Sequence, residues 1–143
     1  MTSNSSKAQK VSWSEIETII KNLSKQVSEL PHNFSSISTI SRGGLIPARL
    51  LADHLGINII LVDQKTIPMN SIFVDDIYDT GNTFKKILNK TELPSKLVFV
   101  TLFARRGKKY PKQLIYGKKT ISSAYLVFPW DKLEYKYFKK RDE

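Results

Sequence analysis

Residues 71–83 read Ser-Ile-Phe-Val-Asp-Asp-Ile-Tyr-Asp-Thr-Gly-Asn-Thr. The stretch opens as an apolar strand, Ser71 to Val74, and runs straight into two adjacent carboxylates, Asp75 and Asp76. A turn ending in Asp79-Thr80-Gly81-Asn82-Thr83 follows, and a helix is expected from Thr83 to Leu88, stopped near Pro94. Small and hydroxylated residues at a strand-to-helix turn leave backbone N–H groups free, and those groups with the helix N-terminus bind phosphate. Thr80 and Thr83 add hydroxyl donors, and Gly81 lets the backbone come close. Asp75 and Asp76 would repel a bare phosphate. They suit sugar hydroxyls or a hydrated Mg²⁺ instead. A ligand with both a sugar diol and a phosphate satisfies both halves.

Working outward, apolar periodicity predicts a helix over Val11 to Leu30. Ser12 and Glu15 form a capping box at its start, Val11 and Ile16 a hydrophobic staple, and Pro31 marks its stop. Trp13, Ile16, Ile19, Ile20, Leu23, Val27 and Leu30 fall on its apolar face. Phe34 to Ile40 reads as a strand ending at Ser41-Arg42-Gly43-Gly44. A second helix, Leu45 to Leu55, tolerates Pro47 in its first turn and stops at Gly56. Ile57 to Val62 and Leu97 to Phe103 read as buried strands, and Ala124 to Phe128 as a last short one. Asp63 to Asn70 is a short turn, and Lys108 to Lys119 is a basic loop with a short strand at Leu114–Tyr116. Residues 1–10 are expected to be a disordered tail, residues 11–143 a single domain, and residues 131–143 a frayed helix or tail. Strands alternating with helices predict an α/β fold, with a central, mainly parallel sheet and ligands at the strand C-terminal ends.

Composition bounds the chemistry. The chain has 143 residues, 23 Lys+Arg and 13 Asp+Glu, for a net charge of +10. That length suits one domain with its own core. With no cysteine there is no disulfide, thiolate metal site or cysteine nucleophile. His32 and His54 are too few for most zinc sites. No apolar run approaches the roughly 18–20 residues that span a bilayer, so no membrane partner is expected. Met1 to Lys10 lacks an apolar core, and a cytoplasmic protein is expected. The charge points to an anionic partner, with nucleic acid the general candidate and a solvated basic surface the bland alternative.

The 71–83 segment resembles the phosphoribosyl pyrophosphate (PRPP) motif of the type I phosphoribosyltransferases: four apolar residues, two acids, two variable residues, then acid-Thr-Gly-x-Thr. Ser41-Arg42-Gly43-Gly44 with the helix after it resembles the xanthine-guanine branch, as does Thr101-Leu-Phe-Ala104 before Arg105. Tyr125-Leu126-Val-Phe-Pro-Trp-Asp131 is similar to that branch's C-terminal run, and Val11-Ser-Trp-Ser-Glu15, more weakly, to its opening helix. The resemblance implies a small C-terminal hood, at about residues 108–131, over the sheet. It also implies transfer of a phosphoribosyl group from Mg²⁺-bound PRPP to a 6-oxopurine (guanine, xanthine or hypoxanthine), giving a nucleoside 5′-monophosphate and pyrophosphate in purine salvage. Asp75 and Asp76 would hold the ribose hydroxyls and the metal shell. Asp79, Thr80, Gly81, Asn82 and Thr83 would bind the 5′-phosphate, and Ser41, Arg42, Gly43 and Gly44 the pyrophosphate, often through a cis peptide. Asp79 would accept or orient the proton on the imidazole nitrogen of the purine. Arg105, where the family has lysine, would meet the exocyclic oxygen, with Arg106 the alternative. Tyr125 would stack on the base and the Leu126 backbone would read its edge. Trp130 is expected to be structural. A homo-oligomer, dimer or tetramer, is implied.

Two features stand outside that pattern. The family has a long closing loop where this chain has only Asp63 to Asn70, leaving Lys65 as its one basic residue and Lys108–Lys119 as an alternative cover. Arg42 and Arg105 are only two of the 23 basic residues. The clusters Lys108, Lys109, Lys112, Lys118, Lys119 and Lys136, Lys139, Lys140, Arg141 lie elsewhere, with Tyr110 and Tyr116 interleaved in the first. The alternative is therefore a regulatory protein of the same fold that binds PRPP or nucleotides with weak or no catalysis, and nucleic acid through its basic face.

Overall fold

The computed structural model describes residues 8–132 and Lys136. Helix α1 (Trp13–Ser28) starts where Ser12 Oγ accepts the Glu15 N–H at 3.1 Å. The other half of the capping box is absent, because the Glu15 carboxylate takes Lys118 Nζ at 2.7 Å instead. Ile16, Ile19, Ile20, Leu23 and Val27 form its buried stripe. Trp13 leaves that stripe, 52% exposed, and its ring meets Trp130 at 5.6 Å. Trp130 stacks on Phe128 in turn, which bears out its structural role.

The strands are β1 (Ala8–Lys10), β2 (Ser36–Thr39), β3 (Ile60–Val62), β4 (Ser71–Tyr78), β5 (Val98–Ala104), β6 (Leu114–Lys119) and β7 (Tyr125–Val127). Helix α2 (Leu45–Leu55) follows β2, and α3 (Asn82–Leu88) follows β4. The central sheet has the order β3-β2-β4-β5-β6, and every pairing in it is parallel. Alternation along β4 serves two cores. Ile72 and Val74 join the cluster under α1 and α2, while Phe73 points to the other side, against Phe84, Ile87 and Phe99 beneath α3. Phe73 and Phe99 stack at 5.1 Å across the β4–β5 pair.

Other expectations change as well. The Ile57–Val62 run is not buried, because it ends in the edge strand β3, with Ile59 and Val62 exposed. Residues 8–10 are not tail: they form β1, which pairs parallel with β7 from Ala8↔Tyr125 to Lys10↔Val127. Residues 1–7 lie outside the described residues, as do most of 131–143. The 114–119 segment is no part of a hood beginning at 108. It extends the central sheet as β6, paired with β5 from Phe99↔Leu114 to Ala104↔Lys119. A second, two-stranded sheet, β1–β7, is separate from the central one. Finally, β4 does not stop at Val74 but continues through both acids to Tyr78, because β5 offers partners as far as Ala104.

β6 can lie close under α1 because residue 117 is glycine. A methyl group there would overlap Ile19 Cγ2 and sit 2.9 Å from the Leu102 carbonyl oxygen. Gly117→Ala is expected to destabilise the fold by about 1–3 kcal/mol, as overpacking does. A lowered guanidinium unfolding midpoint with unchanged slope checks this, and an unchanged midpoint contradicts it.

Candidate active site

In an open parallel sheet, ligands bind outside the strand C-terminal ends where the winding direction reverses. Here the chain leaves β2 toward β3 on one side and returns to β4 on the other, so the crevice lies between the ends of β2 and β4. The Ser41–Gly44 turn crosses it, and its Ser41–Arg42 peptide is cis. Both glycines are needed for the close approach. A methyl on Gly44 would overlap Thr39 Oγ1 and lie 2.7 Å from the Val74 carbonyl oxygen. A methyl on Gly43 would lie 2.7 Å from Asp76 Oδ2. Thr39 Oγ1 donates to that same Val74 carbonyl at 2.7 Å, tying the two strand ends together. The Arg42 side chain is exposed and has no ion-pair partner among the described residues.

Asp75 is 7% exposed and Asp76 half-buried. Asp76 N–H donates to Asp75 Oδ1 at 2.8 Å, and Ile77 N–H to Asp76 Oδ1 at 2.7 Å. The carboxylates thus satisfy amides at the end of their own strand. Burial, with the Asp76 charge beside it, pushes Asp75 up to about 8. Asp79 and Thr80 follow, exposed, and Asn82 N–H donates to Thr80 Oγ1 at 3.3 Å. Gly81 has φ +88°, and a side chain there would strike the Tyr78 hydroxyl. Asp75 to Phe84, with Phe99, line one cavity of about 170 Å³. The structure therefore gathers Asp75, Asp76, Asp79, Thr80, Gly81, Asn82 and Thr83 around a single hollow.

A second, open cleft of about 490 Å³ lies beside it, lined by Asp79, Arg105, Arg106, Gly107, Lys108, Ser122 and Ser123. Asp79 is common to both. Arg105 Nη1 donates to the Ser122 and Ala124 carbonyls, each at 3.1 Å, and its Nε lies 3.6 Å from Asp79 Oδ1. Arg106 is anchored in the cleft wall, its Nε donating to the Thr120 carbonyl at 2.9 Å. Tyr125 and Leu126 stand on β7, half-buried and buried, and belong to neither lining. Lys108, by contrast, lines the cleft, at the start of the basic segment expected as an alternative cover. Tyr110 and Tyr116 do not interleave freely with the lysines. They pack together at 5.2 Å, Tyr110 also against Tyr78, and its hydroxyl donates to the Arg105 carbonyl at 2.7 Å. His54 is exposed on α2.

The 63–70 connection is fastened down. Ile67 is buried and paired with Thr91, its N–H donating to the Lys90 carbonyl and its carbonyl accepting from Glu92 N–H. Met69 N–H donates to Glu92 Oε1 at 3.0 Å. Its first residue, Asp63, accepts from Ser41, a contact the sequence did not advertise beyond a lone acid at a strand end.

Among the described residues no three His, Asp or Glu side chains converge as a metal cage. Asp75 and Asp76 alone fit a Mg²⁺ that keeps its waters and takes its remaining ligands from substrate phosphates.

No protein-family model matches the chain. The xanthine-guanine phosphoribosyltransferase of Chromohalobacter salexigens is 31% identical over 142 residues, covering 85% of this chain and 82% of that protein. The protein of the same name from Idiomarina loihiensis is 28% identical over 144 residues, covering 85% of each. In solved structures, the xanthine-guanine-hypoxanthine phosphoribosyltransferase of Helicobacter pylori superposes with a TM-score of 0.72 at 19% identity, over 93% of this chain and 99% of that one. The likeness shows the shared fold.

The raised Asp75 has a measurable consequence. Its carboxyl titrates near 3.8 when unfolded and near 8 when folded, so the native chain loses stability as pH rises through that window. An asparagine at this position cannot ionise, and it keeps the oxygen that accepts Asp76 N–H. Asp75→Asn is expected to melt increasingly above wild type as pH goes from about 4 to about 8, at roughly 4 °C per kcal/mol gained. Scanning calorimetry at both ends of the window checks this; a pH-independent difference contradicts it.

Proposed function

The chain belongs to the xanthine-guanine phosphoribosyltransferase family, and from that premise we propose that it transfers the 5-phosphoribosyl group of PRPP to a 6-oxopurine. The products are a nucleoside 5′-monophosphate and pyrophosphate. The observation that carries the reading is the seating of Gly43 against the Asp76 carboxylate. It puts a glycine turn suited to a polyphosphate beside two acids suited to a sugar diol.

The 79–83 turn takes the 5′-phosphate on its amides and on the Thr80 and Thr83 hydroxyls. Asp75 and Asp76 hold the ribose hydroxyls, and with them the shell of a Mg²⁺. That ion, when bound, supplies charge neutralisation on the pyrophosphate. The Ser41–Gly44 amides and the Arg42 guanidinium receive the leaving group, whose charge grows as the glycosidic bond breaks. The purine enters the cleft between Asp79 and Arg105. Asp79 takes the proton of the imidazole nitrogen, and Arg105 donates to the exocyclic oxygen. Their 3.6 Å pair is half exposed on the Asp79 side, so it exchanges readily for a ligand that offers a proton to one and an acceptor to the other. By the family resemblance Tyr125 would stack on the base and the Leu126 backbone would read its edge from β7, although neither residue lines the cleft.

Incubation with Mg²⁺, PRPP and guanine, xanthine, hypoxanthine or adenine tests the proposal. Nucleotide and pyrophosphate are expected with the 6-oxopurines and not with adenine, whose amino group offers Arg105 no acceptor. No product with any base, alongside salt-sensitive nucleic-acid binding, would favour a regulatory protein on this scaffold. Asp79→Asn is expected to lower turnover by about 10²–10⁴-fold while PRPP still binds. Wild-type turnover in that variant sinks the assignment.

A further inference from the structure

The proposed transfer gives Asp63 no part, yet its geometry is closely fixed. It is the first residue after β3, and its N–H donates to the Thr39 carbonyl at 3.0 Å, fixing it beside the end of β2. Its φ is +52°, the only positive value on a non-glycine residue among the described residues. Aspartate and asparagine visit this region more readily than other side chains. The two carboxylate oxygens divide one neighbour between them: Oδ1 accepts Ser41 N–H at 2.9 Å and Oδ2 accepts Ser41 Oγ–H at 2.5 Å.

Resting on the reading of Ser41–Gly44 as the pyrophosphate turn, we propose that Asp63 is a positioning residue for that turn. Its carboxylate holds Ser41 from two sides and so sets where the amides and guanidinium that follow meet the leaving group. Stability does not account for the arrangement, because exposed polar pairs contribute little to folding. Nor is Asp63 placed to bind the anion: both of its oxygens are already engaged. The Ser41 hydroxyl and amide keep the carboxyl below its ordinary range, helped by Lys90 and Lys86, so the clamp stays ionised throughout the neutral range. An outlying backbone angle beside a binding turn is the pattern expected of local strain retained for function.

Two substitutions separate positioning from folding. Asp63→Gly removes both acceptors and accepts the positive φ without strain. Asp63→Asn keeps one acceptor oxygen and also tolerates that angle. Steady-state kinetics with PRPP and a 6-oxopurine, and calorimetric titration with Mg²⁺-pyrophosphate alone, give the readouts. Asp63→Gly is expected to raise the PRPP KM and weaken pyrophosphate binding by about tenfold, the scale of lost charged hydrogen bonds. The purine KM and the melting temperature stay at wild-type values, and Asp63→Asn recovers most of the loss. Equal changes in both KM values, or a loss explained by a lowered melting temperature, would assign Asp63 a merely structural role and overturn the inference. An active wild type with an unaffected Asp63→Gly variant overturns this inference alone. A wild type that neither turns over nor binds pyrophosphate overturns the transfer reading along with it.

Discussion

The close approach of the β2–α2 turn to the end of β4 is the constraint on which the rest depends. Gly44 lies against Thr39 Oγ1 and the Val74 carbonyl with no room for a methyl, and Gly43 lies against Asp76 in the same way. Parallel strands alone bring two carboxyl ends side by side. They do not bring a turn from one into contact with the side chains of the other. The glycines do that, and the Thr39–Val74 hydrogen bond keeps the ends from parting. Asp75 beside it is 7% exposed, and that burial, with the neighbouring Asp76 charge, is why its carboxyl resists ionisation.

Much of this was legible in the sequence, for a physical reason. The runs at 71–74 and 97–103 are apolar on both sides, as strands covered by helices on both faces must be. α1 carries its period over five buried positions and its cap at Ser12. The acids, the 79–83 turn and the glycine pair sit at strand ends, where polar residues after an apolar run imply a site. What escaped notice depends on partners distant in the chain. Ala-Gln-Lys has no strand signal of its own and becomes β1 only because β7 offers a ladder. Gly117 and two lysines argue against a strand, yet β5 recruits them into β6. The Glu15 side chain abandons its capping box for Lys118, a residue 103 positions away. Asp63 reaches Ser41 through turn geometry that local composition does not encode.

The surplus of positive charge also changes meaning in three dimensions. Along the sequence, Arg42 and Arg105, with Arg106 as the alternative, carried the site roles, while the 108–119 segment stood both as an alternative cover and as a candidate nucleic-acid surface. Lys108 in fact lines the cleft with Arg105 and Arg106, so that basic run begins at the site. The rest of the cluster is partly engaged within the fold: Lys118 pairs with Glu15, and Lys119 lies 5.9 Å over the Tyr110 ring. The two tyrosines that would have stacked on bases instead pack on each other. A basic rim around a polyanion site raises the local concentration of a charged ligand without needing a nucleic-acid surface.

The short 63–70 connection decides what kind of site this is. A closing loop needs few internal bonds and little burial, so that it can move. This connection has the opposite character: Ile67 is 1% exposed, and three hydrogen bonds fasten the segment to residues 90–92. Its first residue is spent on Ser41. On the proposed reading the chain uses this stretch to hold a binding turn still rather than to cover it. Exclusion of water, which any transfer through an oxocarbenium-like state requires, then falls to the opposite wall. That wall is the Arg105–Lys108 turn and the hood carbonyls of Ser122 and Ala124, which Arg105 joins to Asp79. On the proposed reading a purine lying between Asp79 and Arg105 becomes part of that connection.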